Sequence, residues 1–417
     1  MSGGIDPKLA WIAVCIFLAA AAVILLANMN GNDRTTHNLE RSLKAKSIVT
    51  TFRGDPSTSR AFTWYTEAEV TGVLQLVQGG EEAAFEAGKA LTYKAQTSKV
   101  DTGASGTQYS HKIEVTGLEP GTEYRYRVGE ETGESWSEPA VFKTEGKSED
   151  VFTFLNVTDS QGMNEGDFAA WGNTLDEAFA RYPEAAWILH NGDLTEDPED
   201  ETAWDDFFGI PSRWLTRIPL MPVTGNHDEI DGEAGRFTAH FNVPDHGAKG
   251  ANSGTTYSFD YGNAHIVVLN TESDIKEQTE WLREDLESTD KTWLIAAIHR
   301  PAYGGNMYKK ISDWISVFDD FGVDLVLQGH NHEYARSFPL KGGEIVPQNE
   351  GTVYVTTNTS GRKFNDKKED KFYHAVHFQN GKQMYAGITI SKQKLTYQAY
   401  DVEGRLLDEF VLEHQAD

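Results

Sequence analysis

Five short apolar runs in the later part of this chain each stop abruptly in a polar cluster, and that repeated pattern most constrains the fold. Val151–Val157 runs into Thr158-Asp-Ser-Gln-Gly162, Ala185–Leu189 into His190-Asn-Gly-Asp-Leu194, and Ile218–Val223 into Gly225-Asn-His-Asp228. Thr292–Ile298 ends in His299-Arg-Pro301, and Val323–Leu327 in Gln328-Gly-His-Asn-His332. Continuous apolar runs of this length read as buried strands. Between them apolar residues recur at helical spacing: Phe168, Trp171, Leu175, Ala178 and Phe179; Trp204, Phe207 and Phe208; Ile311, Trp314, Ile315 and Phe318; Glu280–Glu287 is also helical. Tyr257–Asp260 and His265–Leu269 read as a hairpin around Gly262-Asn263, and Thr352–Thr356 and the tail from Tyr385 to Leu412 as β. The pattern predicts a layered α/β domain over 151–413, strands inside and helices outside. Open α/β sheets place their sites at the carboxyl ends of strands, so the polar clusters are expected to converge.

Ahead of this domain the period changes. Ile48–Phe52, Ala61–Tyr65, Val70–Gln78 and His111–Thr116 carry β-branched and aromatic residues. Leu118, Pro120, Gly121, Tyr124, Tyr126 and Val128 give a loop and then a strand with one apolar face, an arrangement that resembles the tyrosine corner of fibronectin type III-like sandwiches. A seven-strand-type sandwich is expected over 47–145, with Glu145–Asp150 as a linker. Arg53-Gly-Asp55 sits in a turn cluster with Pro56, which explains it without integrin binding.

The extreme N-terminus has its own signal. Leu9–Ala27 contains no charge and is long enough to cross a hydrocarbon core. Residues 1–28 are expected to be an N-terminal transmembrane anchor, the alternative being a cleaved signal peptide and a secreted product. Polar residues 29–46 read as a linker. Arg34, Arg41, Lys44 and Lys46 follow the segment and would favour the cytoplasm. Asp6 and Lys8 leave the other side nearly neutral, and the content of the downstream domains places them outside the cytoplasm. Cys15, the sole cysteine, falls within the apolar stretch. That excludes disulfide scaffolds, cysteine-zinc sites and thiol catalysis in the rest of the chain. The net charge of −27 argues against a surface that coats nucleic acid. A phosphate-bearing substrate must then be captured locally, by metal ions or a few donors.

The clusters deliver metal-ligand residue types one after another: Asp159, Asp193, Asn226, His299, His330 and His332. Asn226 offers a neutral carbonyl oxygen to a hard or borderline cation. His227 can move a proton near neutral pH, and Asp228 can hold its imidazole. Gly225 is expected to let the chain turn sharply. Taken jointly they predict a metal site.

The order D-x-x-G, GD, GNHD, a strand ending in His, and GHxH resembles the calcineurin-like binuclear metallophosphoesterases. With the preceding sandwich, and with Tyr257–Asn270 and Gln278–Leu282, the chain resembles the purple acid phosphatase branch over roughly 47–412. The resemblance implies a four-layer αββα catalytic domain holding two metal ions. It implies that Asp193 bridges them, with Asp159 and His332 on the first and Asn226, His299 and His330 on the second. It further implies hydrolysis of phosphate monoesters by a metal-bridging hydroxide, with His227 donating to the leaving oxygen or binding a phosphoryl oxygen. Asp228 would orient His227 or cap the next helix. Arg300 would meet phosphate or pair with a neighbouring acid. Phosphodiesters, including cyclic nucleotides, are the alternative on the same core. A non-catalytic surface binding module is the alternative of another class, and the intact ligand set argues against it. Two positions depart from the family pattern. Glu196 stands where purple acid phosphatases carry the tyrosine that colours their iron, and Gln161 where the superfamily often has a first-motif histidine. Gln161 can coordinate through its carbonyl oxygen; Glu196 is the weaker candidate. Loss of the tyrosinate puts Fe(III) in doubt and leaves Mn(II), Zn(II) or Fe(II). The sequence leaves the oligomeric state open.

Overall fold

One face of each early strand is apolar, and two antiparallel sheets close on those faces. In the computed structural model, which describes residues 41–86, 88–133, 135–147 and 151–414, the first sheet runs Lys46–Thr51, Ser59–Thr66, Thr107–Thr116, Gln96–Asp101. The second runs Leu91–Lys94, Gly72–Gln78, Glu123–Glu130, Ala140–Lys143. Phe62, Trp64, Leu74, Leu76, Tyr126, Val128 and Phe142 fill the space between them. The Tyr124 hydroxyl accepts the Glu119 N–H at 2.8 Å, which is the tyrosine-corner bond. Two strands, Leu91–Lys94 and Gln96–Asp101, join different sheets across Ala95. The sandwich thus has eight strands among the described residues where seven are expected; these two escape a reading of the sequence because their residues are largely exposed and lack an apolar alternation.

The sandwich is built into the second domain rather than hung from it. Val49 and Phe52 belong to the core of that domain. Lys46 and Ser47 both bind the Asp205 carboxylate, and Tyr126 donates to the Thr216 carbonyl at 2.6 Å. Arg53 of the Arg-Gly-Asp turn donates to Asn242 Oδ1 at 3.2 Å and the Val243 carbonyl at 3.0 Å. Its guanidinium is thereby committed within the molecule.

Residues 151–414 form a small hairpin, Leu340–Lys341 with Glu344–Ile345, and two large sheets. One runs Leu220–Pro222, Ile188–His190, Val151–Val157, Met384–Ser391, Lys394–Asp401, Leu406–Glu413; its first three strands are mutually parallel. The other runs Tyr257–Tyr261, Ala264–Val268, Trp293–Ala297, Leu325–Gln328, Val353–Thr356, Tyr334–Ser337, His374–Phe378, with four parallel strands at its centre. Phe154, Leu155 and Ile388 of the first share a core with Ile266, Ile295 and Leu325 of the second. Alternate residues of the second sheet, Val267, Ala296, Ile298 and Val326, pack instead with Leu282, Leu286, Trp314 and Phe318 of helices Ile275–Ser288 and Ser312–Phe321. This is the strand alternation at work: one face meets the other sheet, the opposite face meets helices. Helix Glu165–Arg181 begins with an Asn164 side-chain cap and packs against strand Met384–Ser391. A β-sandwich followed by an α/β domain, two sheets packed face to face with helices outside, is thus the observed architecture.

The apolar stretch Leu9–Ala27 and residues 29–40 of the linker lie outside the described residues. Among those described, no helix is long and apolar enough to cross a membrane.

Candidate metal centre

The parallel strands aim their carboxyl ends at one place. Val157, His190 and Pro222 end neighbouring strands of the first sheet, and Ala297 and Gln328 neighbouring strands of the second. Within a few residues of those ends come Asp159, Asp193, Asn226, His299, His330 and His332. Several of these have left-handed backbone: φ is 52° at Asp159, 56° at Asp193, 72° at His330 and 50° at His332. Non-glycine residues there carry strain of about 1–3 kcal/mol each, which the surrounding packing must sustain. Such concentration at strand ends marks a functional centre.

Asp193, His299 and His330 can each offer one ligand atom, all within 4.8 Å of one another; so can Asp159, Asp193 and His332. Asp193 belongs to both groups. The histidine tautomers are set from outside. His299 Nδ1 donates to the Asn191 carbonyl at 2.7 Å, so Nε2, 3.1 Å from Asp193 Oδ2 and 3.3 Å from Asn226 Oδ1, is the nitrogen that would exchange its proton for an ion. His332 Nδ1 donates to the Lys363 carbonyl at 2.5 Å, and its Nε2 lies 3.2 Å from Asp159 Oδ1. His330 Nε2 lies 3.2 Å from an Arg300 N–H, a contact that occupies the lone pair of the neutral ring and must yield before His330 can bind an ion. A metal-ligating imidazole is held as His299 and His332 are, its far nitrogen fixed by a neighbouring group.

Buried carboxylates need a cation nearby. Asp159, Asp193, His299 and His332 are all buried. Burial pushes the Asp193 carboxyl up, yet His299 and His227 hold it below the ordinary carboxylate range. Asp159 behaves alike under His332 and His299. Burial pulls His299 down, but Asp193, Asp159 and Glu272 raise it to about 10. The buried carboxylates thus favour a cation among them. Burial, helped by His299 and Arg300, lowers His330 to about 3 and keeps it neutral.

Gln161 is buried, its Nε2 donates to Glu196 at 3.4 Å, and its carbonyl oxygen has no hydrogen-bond partner. An orphaned buried acceptor beside Asp159 is what a ligand awaiting a cation looks like. The donor set of carboxylates, imidazoles and amide oxygens fits borderline divalent ions. Glu196, in contrast, is paired with Lys363, whose amine lies 3.2 Å and 3.3 Å from its two oxygens.

The Gly225–Asp228 turn differs from expectation in two respects. Gly225 is not in the left-handed region; a Cβ there would run into the Asp193 carboxylate and backbone, so close approach is what demands glycine. Asp228 neither holds the His227 ring nor caps a helix. Its carboxylate accepts the Gly225 N–H at 2.8 Å, the Asp193 N–H at 2.8 Å and the Leu194 N–H at 3.1 Å. It ties two ligand loops together. The His227 ring is held by the Glu196 carbonyl, 2.8 Å from Nδ1, while the His227 backbone N–H donates to Asp193 Oδ1 at 2.9 Å. Arg300 is brought into the site but is engaged: its Nε lies 2.9 Å from both Glu272 oxygens.

Several positioning residues carry no motif. Asn191 reaches the Ile298 and Leu327 carbonyls across the two sheets at 3.1 Å and 2.8 Å. Lys363 serves His332 and Glu196 at once, from a loop distant in sequence. His190, adjacent to Asn191, is buried against Trp171, pushed down to about 3 by burial, and bonds Ser160 at 2.9 Å.

Residues 45–144 match the family model for the purple acid phosphatase N-terminal domain, and residues 152–334 that for calcineurin-like phosphoesterases. Purple acid phosphatase 23 of Arabidopsis thaliana is 28% identical over 60% of this chain and 62% of its own length. Acid phosphatase type 7 of Mus musculus is 25% identical over 76% of this chain and 78% of its own length. The chain thus spans less than two thirds of the first relative. Among solved structures, purple acid phosphatase PPD1 from yellow lupin shares the fold, with a TM-score of 0.76 at 18% identity over 89% of this chain and 74% of that one. The paired domain matches, the shared Asp193 and the strand-end ligand loops together place this chain in the calcineurin-like phosphoesterase family, in the branch that carries a purple acid phosphatase N-terminal domain.

Proposed function

We propose that this chain is a metal-dependent phosphoric ester hydrolase acting first on phosphate monoesters. The membership of Asp193 in both ligand groups carries this reading, because two ions sharing a carboxylate is the arrangement that phosphoester hydrolysis requires. Asp159, Asp193, His332 and Gln161 would hold one ion, and Asp193, Asn226, His299 and His330 the other. Two such ions supply an activated water and neutralise charge on the phosphoryl group. His227 is half-buried at the mouth of the site. Because its Nδ1 proton is committed to the Glu196 carbonyl, the proton in play sits on Nε2, which donates to the leaving oxygen or to a phosphoryl oxygen. Glu272 holds Arg300, and the Arg300 contact to His330 would have to give way on metal loading. A further arginine contact to phosphate is compatible with that position.

Glu196 bound to Lys363 in place of a tyrosinate favours Mn(II), Zn(II) or Fe(II) over Fe(III). The uncharged stretch Leu9–Ala27 supports a membrane anchor with the catalytic domain outside the cytoplasm, or a secreted product after cleavage.

The test is turnover by the full chain, loaded in turn with Mn, Zn and Fe, on an aryl phosphate and a bis-aryl phosphate across pH. Monoester turnover that Asp193→Ala abolishes is the expected result. Preference for the diester would move the assignment to phosphodiesters. Bound metal with no turnover of either would leave a binding module and defeat the proposal.

A further inference from the structure

A second cluster of ligand types lies at the rim, in residues that show no motif. Strand His374–Phe378 is the edge of the seven-stranded sheet and pairs with Tyr334–Ser337, which begins two residues after His332. Side chains three apart on a regular strand point to opposite faces. Here the register slips: Arg336 pairs with Val376 but Ser337 with His374. The extra residue, Ala375, is a bulge that re-aims one side chain. The rings of His374 and His377 consequently lie 4.0 Å apart, and Asp370 joins them. One ligand atom from each of the three lies within 4.8 Å of the others.

The outer contacts of this trio match those of a metal site. His374 Nε2 lies 3.0 Å from the Gly304 carbonyl, an acceptor only, so that nitrogen carries the proton and Nδ1 keeps its lone pair. Burial lowers the His374 pKa, favouring the neutral ring. His377 Nε2 lies 3.1 Å from Glu333 Oε2, and Glu333 is fully buried. A proton on that nitrogen leaves His377 Nδ1 facing Asp370 Oδ1 at 2.8 Å. Two lone pairs cannot face each other at that distance, so a cation or a second proton must lie between them. An imidazole whose far N–H is fixed by a buried carboxylate, and another fixed by a backbone carbonyl, are the usual supports of zinc-binding histidines.

We propose that Asp370, His374 and His377 form a further divalent-cation site, of zinc class, with water completing a tetrahedron. Two contacts yield to the ion: the Lys371 N–H at 3.1 Å from His374 Nδ1, and the exposed Lys367 amine at 2.5 Å from Asp370. The site is independent of the phosphoesterase reading. Its ion pins residues 370–377 to Gly304, whose carbonyl also accepts the Tyr373 hydroxyl at 2.8 Å, and so braces the loop that follows His299.

The test is metal stoichiometry of the full chain equilibrated with a slight excess of Zn²⁺ and freed of unbound ion. Wild type is expected to hold one more ion than Asp370→Ala or His374→Ala, with apparent zinc affinity at that site at least tenfold weaker in either variant. Co²⁺ loading is expected to add a tetrahedral absorption that the same variants lose. The Asp370-dependent ion should persist in Asp193→Asn, which separates it from the central pair. Asp370 is exposed, so Asp370→Ala decides the matter should His374→Ala not fold. Equal zinc content and equal cobalt spectra in wild type and Asp370→Ala would overturn the assignment and leave His377 as a hydrogen-bond partner of Glu333 and Asp370.

Discussion

The His227 ring is fixed through Nδ1 to the carbonyl oxygen of Glu196, 2.8 Å away, and not to its sequence neighbour Asp228. On the proposed reading the Asn226-His227-Asp228 triplet has three tasks: ligand, proton donor and, by the hydrogen bonds of Asp228, loop tie. His227→Ala should therefore retain metal and lose about 10²–10⁴ in kcat, the usual range for removing a general acid. Asn226→Ala should lower metal occupancy instead. Metal analysis beside steady-state kinetics checks both. Loss of metal in His227→Ala would contradict the division.

Asp228→Ala leaves three buried backbone N–H groups, of Gly225, Asp193 and Leu194, without their acceptor. Unsatisfied buried donors are costly, and a loss of about 3 kcal/mol is expected. The two ligand loops would also separate, so metal content should fall with thermal stability. Asp228→Asn keeps one acceptor oxygen and should be milder. If Asp228 served only to orient His227, the alanine variant would melt like wild type and merely turn over slowly.

These roles explain what could be read from the chain alone. The strand-end ligands were legible because a strand buried on both faces is a continuous apolar run, and the residue that ends it is fixed by that run. The role of Asp228 was not legible, since two of its donors come from a loop some thirty residues earlier and only the assembled parallel strands bring them together. Lys363 was hidden for the same reason: one residue serves Glu196 with its amine and His332 with its carbonyl across the fold. Strand His374–Phe378 is half-buried along its length, so it shows neither an apolar run nor an alternation. Its histidines are aligned by a bulge that no periodicity announces.

Glu196 sets the optical behaviour. With its carboxylate on Lys363 and no tyrosinate in the same place, iron-loaded protein should lack the tyrosinate-to-iron absorption that gives purple acid phosphatases their colour. Glu196→Tyr should introduce that band, because Gln161 Nε2, 3.4 Å from Glu196, shows that this side chain borders the ligand set. Visible spectra of both proteins after iron loading decide it. A coloured wild type would mean that another phenolate reaches the metal.

His265 offers a pH test away from the metal centre. Its Nδ1 lies 2.7 Å from Asp260 Oδ1 and its Nε2 2.8 Å from Asp285 Oδ2. Burial alone would lower its pKa, but the two carboxylates raise it to about 9. The folded value exceeds the ordinary value of about 6.5. The associated stability is therefore fully present below about pH 6.5 and is lost as pH rises through about 9. A tenfold gain in proton affinity on folding corresponds to about 1.4 kcal/mol, reduced here because Asp260 is half exposed to screening solvent. Wild type should thus lose a few degrees of Tm between pH 6.5 and 9, and His265→Gln, which cannot gain the charge, should lose less over the same interval. Parallel melting curves for the two proteins would show that the imidazolium is not what holds Asp260 and Asp285 against strand Ala264–Val268.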